Sequence, residues 1–149
     1  MEFYKVEPTL VNYWRAIILF GRNVASYKFS LAKSLYDLNA VSNDLVKIEQ
    51  LAEPFSRHLC EHLKLEAKQI TSKSSKFLTA CNDFNTNKLS HDELIKQTVK
   101  IGFTNVIDAF HVVNNGEIEQ RFFIDERKKS GGIRITDNFF KLAEHEQFT

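Results

Sequence analysis

Residues 121–136 read RFFIDERKKSGGIRIT. An apolar run, Phe122-Phe123-Ile124, and an alternating one, Ile133-Arg134-Ile135, flank a charged tip that ends in Gly131-Gly132. Apolar segments around a glycine-bearing turn predict a β-hairpin. The tip carries Arg127, Lys128 and Lys129, and the strands carry Arg121 and Arg134. Cations so placed can rest on phosphates and position a protein on DNA without reading its sequence. The plainer alternative is a solvated loop whose Lys residues pair with Asp125 and Glu126.

Outside this hairpin the chain reads as helix. Pro is scarce, at 2 of 149 residues, and Gly is low, at 5, so few breakers interrupt the pattern. Leu10, Val11, Trp14, Ile17 and Ile18 recur at helical spacing over 9–20, with Gly21 as a stop. A second helix starts at Asn23 or Ser26 and runs to about Leu38. Ser42 or Asn43 is expected to cap a third, carrying Leu45, Ile48, Leu51 and Ala52. Pro54 predicts a kink or a fresh helix start, because proline removes a donor and crowds the preceding turn. Phe55, Leu59 and Leu63 continue at spacing four, and Phe77, Leu78, Cys81 and Phe84 mark a further helix.

SHDE at 90–93 is a capping box, with Ser90 at the N-cap and Glu93 three residues on. It opens a helix expected over 91–101 and ended by Gly102. A short link leads to a helix expected over 105–113, with Val106, Ile107, Phe110 and Val113 inward. After the hairpin, Thr136 or Asp137 caps a last helix with Phe139, Phe140 and Leu142. Helix, tight turn, helix, hairpin, helix is the order of a winged helix-turn-helix. The expected fold is therefore mainly α: a helical bundle with a C-terminal winged-helix-like part containing one β-hairpin. We expect one domain over 1–149, with a bundle part at 1–88 and a helix-turn-helix plus hairpin part at 89–149.

The net charge of +1 gives no global basic excess, so any nucleic-acid contact must be local. Beyond the hairpin, Arg22 and Lys28 present cations on the second helical segment; the plain alternative there is the wet face of an amphipathic helix. The expected nucleic-acid-binding set is Arg121, Arg127, Lys128, Lys129, Arg134, Arg22 and Lys28. The helix over 105–113 offers Asn105, Asp108, His111, Asn114 and Asn115 but no Arg or Lys, and Asp108 repels phosphate. This argues against direct base reading.

His58 and His62 lie at i and i+4, a spacing that can ligate zinc, but no third ligand is evident and Glu61 is not where an HExxH motif needs it. Histidines at the boundary of a buried stripe are the default. Cys60 and Cys81 form no CxxC pair and read as buried, reduced thiols. There is no Gly-rich phosphate loop, no GxSxG and no paired-carboxylate signature. No catalytic residue, metal ligand or cofactor is expected in this chain. The acidic N-terminus is unlike a signal peptide, and the longest apolar run, AIILF at 16–20, is too short to span a membrane. A cytoplasmic location without membrane contact is expected.

Three segments, VEPTLVNYWRAIILFGRNVASYKFSLAKSL (6–35), LAEPFSRHLCEHLK (51–64) and GFTNVIDAFHVVNNGEIEQRFFIDERKKSGGIRITD (102–137), together resemble the N-terminal region of bacterial HNH-endonuclease-type proteins. The Asn23–Phe29 stretch contributes most. In that family nuclease activity belongs to a C-terminal ββα-metal module that uses two histidines, an asparagine and a divalent metal. None of the five histidines here, His58, His62, His91, His111 and His145, falls in such a setting, so no catalytic role carries over. The resemblance implies a DNA-binding or positioning module of an HNH-type nuclease, with the catalytic domain outside this chain. Its partners would then be DNA and a nuclease domain. The alternative is a protein–protein assembly module of a bacterial defence or restriction system.

Overall fold

The two strands around the basic tip pair antiparallel, with Phe123 opposite Ile135, Ile124 opposite Arg134, Asp125 opposite Ile133 and Glu126 opposite Gly132. In the computed structural model, which describes residues 10–12, 14–15, 25–39, 43–65, 76–104, 106–113, 116–117 and 121–146, the hairpin is embedded in a mainly helical chain. The elements are α1 (Ala25–Asp37), β1 (Leu45–Lys47), α2 (Ile48–Leu65), α3 (Lys76–Asn85), α4 (His91–Gln97), a π-helical turn (Thr98–Gly102) and α5 (Val106–Ala109). Then follow β2 (Val112–Val113), β3 (Gly116–Glu117), β4 (Phe123–Glu126), α6 (Arg127–Ser130), β5 (Gly132–Ile135) and α7 (Asp137–Glu146). Residues 10–12 and 14–15 are also helical; the expected helix boundary at Gly21 lies outside the described residues.

The tip is not an extended loop. Arg127–Ser130 make one helical turn, and Gly131 closes it at φ 77°, where a side chain would strain the backbone.

The sheet has a third strand that corrects the helix expected from Ser42 or Asn43. Leu45–Lys47 are β1, which lies along β5 on the side away from β4, with Leu45 opposite Arg134, Val46 opposite Ile133 and Lys47 opposite Gly132. Val46 thereby enters the core, and the helix starts only at Ile48. Gly132 makes this possible. A Cβ there would stand 2.1 Å from the Val46 carbonyl oxygen and 2.8 Å from Lys47 Cα, so only glycine lets β1 approach. Backbone bonds from Asn43 to Ile135 O, Ile135 to Asp44 O and Ile48 to Gly131 O extend the pairing at both ends.

Other boundaries also moved. Helix α2 runs through Pro54 without a fresh start, so its Leu51, Ala52, Phe55, Leu59 and Leu63 form one continuous buried stripe. Proline there simply leaves the Gln50 carbonyl without its helical donor. Ser90 caps α4 by accepting the Glu93 N–H at 3.1 Å. The reciprocal half of the box is not made, because the Glu93 carboxylate accepts from Gln97 instead. The expected helix over 91–101 is α4 followed by the π turn, where the Thr98 hydroxyl donates to Leu94 O at 2.7 Å. Gly102 sits tightly against Phe77, 3.1 Å from where a Cβ would be.

The helix expected over 105–113 is the largest departure. It lasts one turn, Val106–Ala109, and Val112–Val113 pair with Gly116–Glu117 as a two-stranded ladder. Its apolar residues Val106, Ile107 and Phe110 are buried all the same, so helical spacing marked burial correctly and conformation incorrectly. At the last helix, Thr136 spends its hydroxyl on Arg121 O.

Aromatic side chains join the elements. Trp14 meets Tyr36, Phe110, Phe122 and Phe139 at ring separations of 4.9–5.8 Å. A second group, Tyr27, Phe55, Phe77 and Phe103, lies between α1, α2, α3 and the end of the π turn. Phe55 and Phe77 stack parallel at 6.0 Å, and the other contacts are edge-on or tilted, geometries that suit the ring quadrupoles. Among the described residues, no helix is long and apolar enough to cross a membrane.

Candidate nucleic-acid interface

Arg127 is turned inward from the tip. Its guanidinium donates to Asp108 at 2.7 Å, to both oxygens of Asp125 at 2.9 and 2.8 Å, and to Phe103 O at 3.2 Å. The Arg127 backbone N–H also donates to Asp125, at 3.1 Å. Hydrogen bonding from Arg127 holds the Asp125 carboxyl below the usual carboxylate range, and Asp125 in turn raises the Arg127 guanidinium. The hairpin tip is thus anchored to the turn between the π-helical segment and α5.

Arg134 is committed in the same way. It forms a bidentate pair with Glu126, at 3.0 and 3.1 Å, and donates to Asn43 O at 2.9 Å. It lies on the outer face of the sheet, between Leu45 and Ile124 in the cross-strand row. The bidentate hydrogen bond from Arg134 holds Glu126 low.

Of the remaining expected cations, Arg121 is half-buried and donates to Phe123 O at 3.2 Å. Lys28 is closed off from solvent and donates to Val112 O at 2.9 Å. Burial lowers its ammonium pKa. Arg22 lies outside the described residues. Lys128 and Lys129 are exposed on α6 and enter no hydrogen bond or ion pair among the described residues.

A residue that sequence reading missed joins these two. Lys47 is exposed at the end of β1, opposite Gly132, and the next residue, Ile48, bonds Gly131 O. Lys47, Lys128 and Lys129 therefore share one end of the sheet. Nothing local signals this, since only strand pairing brings residue 47 to the tip.

The polar residues weighed for a reading helix over 105–113 are engaged or lie outside the described residues. Asp108 is bound to Arg127, and Asn105, Asn114 and Asn115 lie outside the described residues. His111 is buried, and its Nε2 accepts the Phe122 N–H at 2.9 Å. That bond fixes the neutral tautomer with its proton on Nδ1. Burial first, then Arg121 and Lys28, pushes its pKa down to about 3.

Of the histidine pair on α2, His58 bonds Asp37 at the end of α1, beside Arg57. Burial alone would raise the Asp37 pKa; His58 and Arg57 outweigh it and hold the carboxyl low. Among the described residues, no three His, Cys, Asp or Glu side chains are grouped to hold a metal. Cys60 and Cys81 are buried neighbours on α2 and α3.

No protein-family model matches this chain, and neither a curated protein nor a solved structure is significantly similar to it.

Proposed function

We propose that this chain positions DNA, by its phosphates, for an HNH-type nuclease domain. The observation that carries the reading is the anchored tip: Arg127 ties α6 to the body and leaves Lys128 and Lys129 exposed beside Lys47. A turn already fixed by Arg127 spares the backbone part of the ordering cost of meeting phosphate, leaving only the lysine side chains to be ordered. In this reading the β4–β5 hairpin serves as a wing, and α4 with α5 as the reduced helix pair behind it. The one-turn α5 and the engaged Asp108 give no base reading. The resemblance of residues 6–35, 51–64 and 102–137 to HNH-endonuclease-type proteins supports the nuclease context.

Two or three phosphate contacts predict a log–log salt slope of about −2 to −3 on duplex DNA. Seven engaged cations would give a much steeper slope. The test is a mobility-shift series over salt concentration with Lys47, Lys128 and Lys129 changed together to Ala. Loss of binding is expected; unchanged binding and slope would remove the tip from the interface.

One observation favours assembly with a protein partner as a second reading. Ile124, 43% exposed, and the half-buried Leu45 flank Arg134 on the open face of the sheet. Light scattering of the DNA-free protein distinguishes them: a Leu45- and Ile124-dependent oligomer favours assembly.

A further inference from the structure

The chain has two cysteines in its 149 residues, and the fold brings them together across 21 positions of sequence. Cys60 lies in the second half of α2 and Cys81 in the middle of α3, and both are buried. The Cys60 thiol donates to Cys81 O at 3.8 Å. One turn further along α3, on the same face, Asn85 donates its Nδ2 to Cys60 O at 2.9 Å. Helix α3 thus holds Cys60 at two points, one on its thiol and one on its carbonyl, and keeps it level with Cys81. The thiols also bond each other. The Cys81 S–H, donating to Cys60, lowers the Cys60 pKa, and the same bond together with burial raises that of Cys81.

Two thiols within hydrogen-bonding reach, one the better thiolate and the other holding its proton, suit a peroxide-reactive thiol and the thiol that resolves it. We propose that Cys60 and Cys81 are a redox pair that hydrogen peroxide converts, within the folded chain, to an intrachain disulfide joining α2 to α3. In the first step the Cys60 thiolate attacks one peroxide oxygen and the O–O bond breaks. Cys60 becomes a sulfenic acid, and the departing hydroxide takes up the proton lost by the Cys60 thiol and leaves as water. In the second step the Cys81 sulfur, losing its proton, attacks the Cys60 sulfur. The S–O bond breaks, and the hydroxyl leaves with that proton as water. The two thiols give up two electrons, and one peroxide is reduced to two waters. Both sulfurs are shielded from solvent, so small, uncharged peroxide reaches them through local opening, and the reaction is slower than at an exposed thiol. The pair is separate from the tip at Lys47, Lys128 and Lys129 and does not depend on the DNA reading above.

The test uses the whole chain, reduced and then treated with hydrogen peroxide under native conditions. Remaining thiols are alkylated, and the unreduced digest is mapped by mass spectrometry. A peptide pair joined at Cys60 and Cys81 is expected, in a monomer whose mass has fallen by that of two hydrogens. Dithiothreitol should restore both thiols. Closing the loop between residues 60 and 81 should raise the urea midpoint by about 1–2 M. In Cys81→Ser, Cys60 should stop at the sulfenic acid and be captured by dimedone, and Cys60→Ser should leave Cys81 a thiol. Should either variant fail to fold, the wild-type peptide map still decides, with circular dichroism reporting the fold of the oxidised chain. Free thiols at both positions after an exposure that oxidises the urea-unfolded chain would overturn the proposal. So would dimedone capture of wild-type Cys60 without a disulfide, disulfides formed only between chains, or an oxidised chain that has lost its fold.

Discussion

Arg127 donates to Asp108 at 2.7 Å and so joins the hairpin tip to α5. Arg127, one of the residues expected to contact phosphate, is instead the bolt that fixes the tip. Asp108, which would repel DNA if it faced the groove, is held on Arg127 by that bond and shares the guanidinium with Asp125.

Arg127→Ala should loosen the tip without unfolding the domain. The pair is partly exposed, so after solvent screening we expect a loss of about 1 kcal/mol. Amide hydrogen exchange should accelerate at Lys128–Gly131 more than in α2. The same bond has a pH signature. Asp125 has a lowered folded pKa, so its contribution is full above the unfolded carboxylate value and is lost as pH falls through the folded one. Asp125→Asn should remove that acid dependence.

Gly132→Ala should detach β1. The added methyl would meet Val46 O at 2.1 Å, and backbone cannot yield as a flexible side chain can. A loss of about 2 kcal/mol or more in urea unfolding is expected, larger than for Gly131→Ala, which has open space and costs only its left-handed φ, about 1 kcal/mol. Equal effects at the two positions would contradict the strand pairing.

His111 predicts acid sensitivity below neutrality. Its pKa falls from 6.5 when unfolded to about 3 when folded, through burial and the nearby Arg121 and Lys28 charges. The unfolded chain therefore takes the proton first. Stability from this group is full above 6.5 and declines as pH drops toward 3, with a limiting slope of about 1.4 kcal/mol per pH unit. Urea unfolding from pH 7 to 4 should show the slope in wild type and a shallower one in His111→Gln. The glutamine oxygen can keep the Phe122 N–H bond while removing the titration.

Ser90→Ala should cost about 1 kcal/mol by leaving the Glu93 N–H without its cap, and Ser90→Asp should recover most of it. Glu93→Gln should have little effect through the cap itself, because the Glu93 carboxylate bonds Gln97 rather than returning to Ser90. Circular dichroism melts of the three variants check this.

Local periodicity made much of this fold legible. The helices holding Leu31 and Leu35, Leu51 to Leu63, and Phe77 with Cys81 bury the residues their spacing selects. The hairpin also follows from its own residues, since two short apolar strands and a glycine pair specify a turn locally. Leu45–Lys47 illustrates the limit. Those residues fit a helical stripe equally well, and they become strand because Gly132, distant in sequence, opens room beside β5. Similarly, Val112–Val113 leave the helical pattern to pair with Gly116–Glu117.

The sequence by itself determined which apolar helix positions form the core stripe, where the hairpin turns and where α4 begins, because helical spacing, glycine geometry and capping act over a few residues. Tertiary structure decided what the cations do. Charge in a sequence does not say which carboxylate or carbonyl will face it. Asp125 and Glu126 are partners within the hairpin itself, but pairing Arg127 with Asp108, Arg134 with Asn43 O and Lys28 with Val112 O needs segments far apart in the chain to meet. Only after those meetings do Lys128 and Lys129 stand exposed, with Lys47 brought beside them by a strand that local patterning does not reveal.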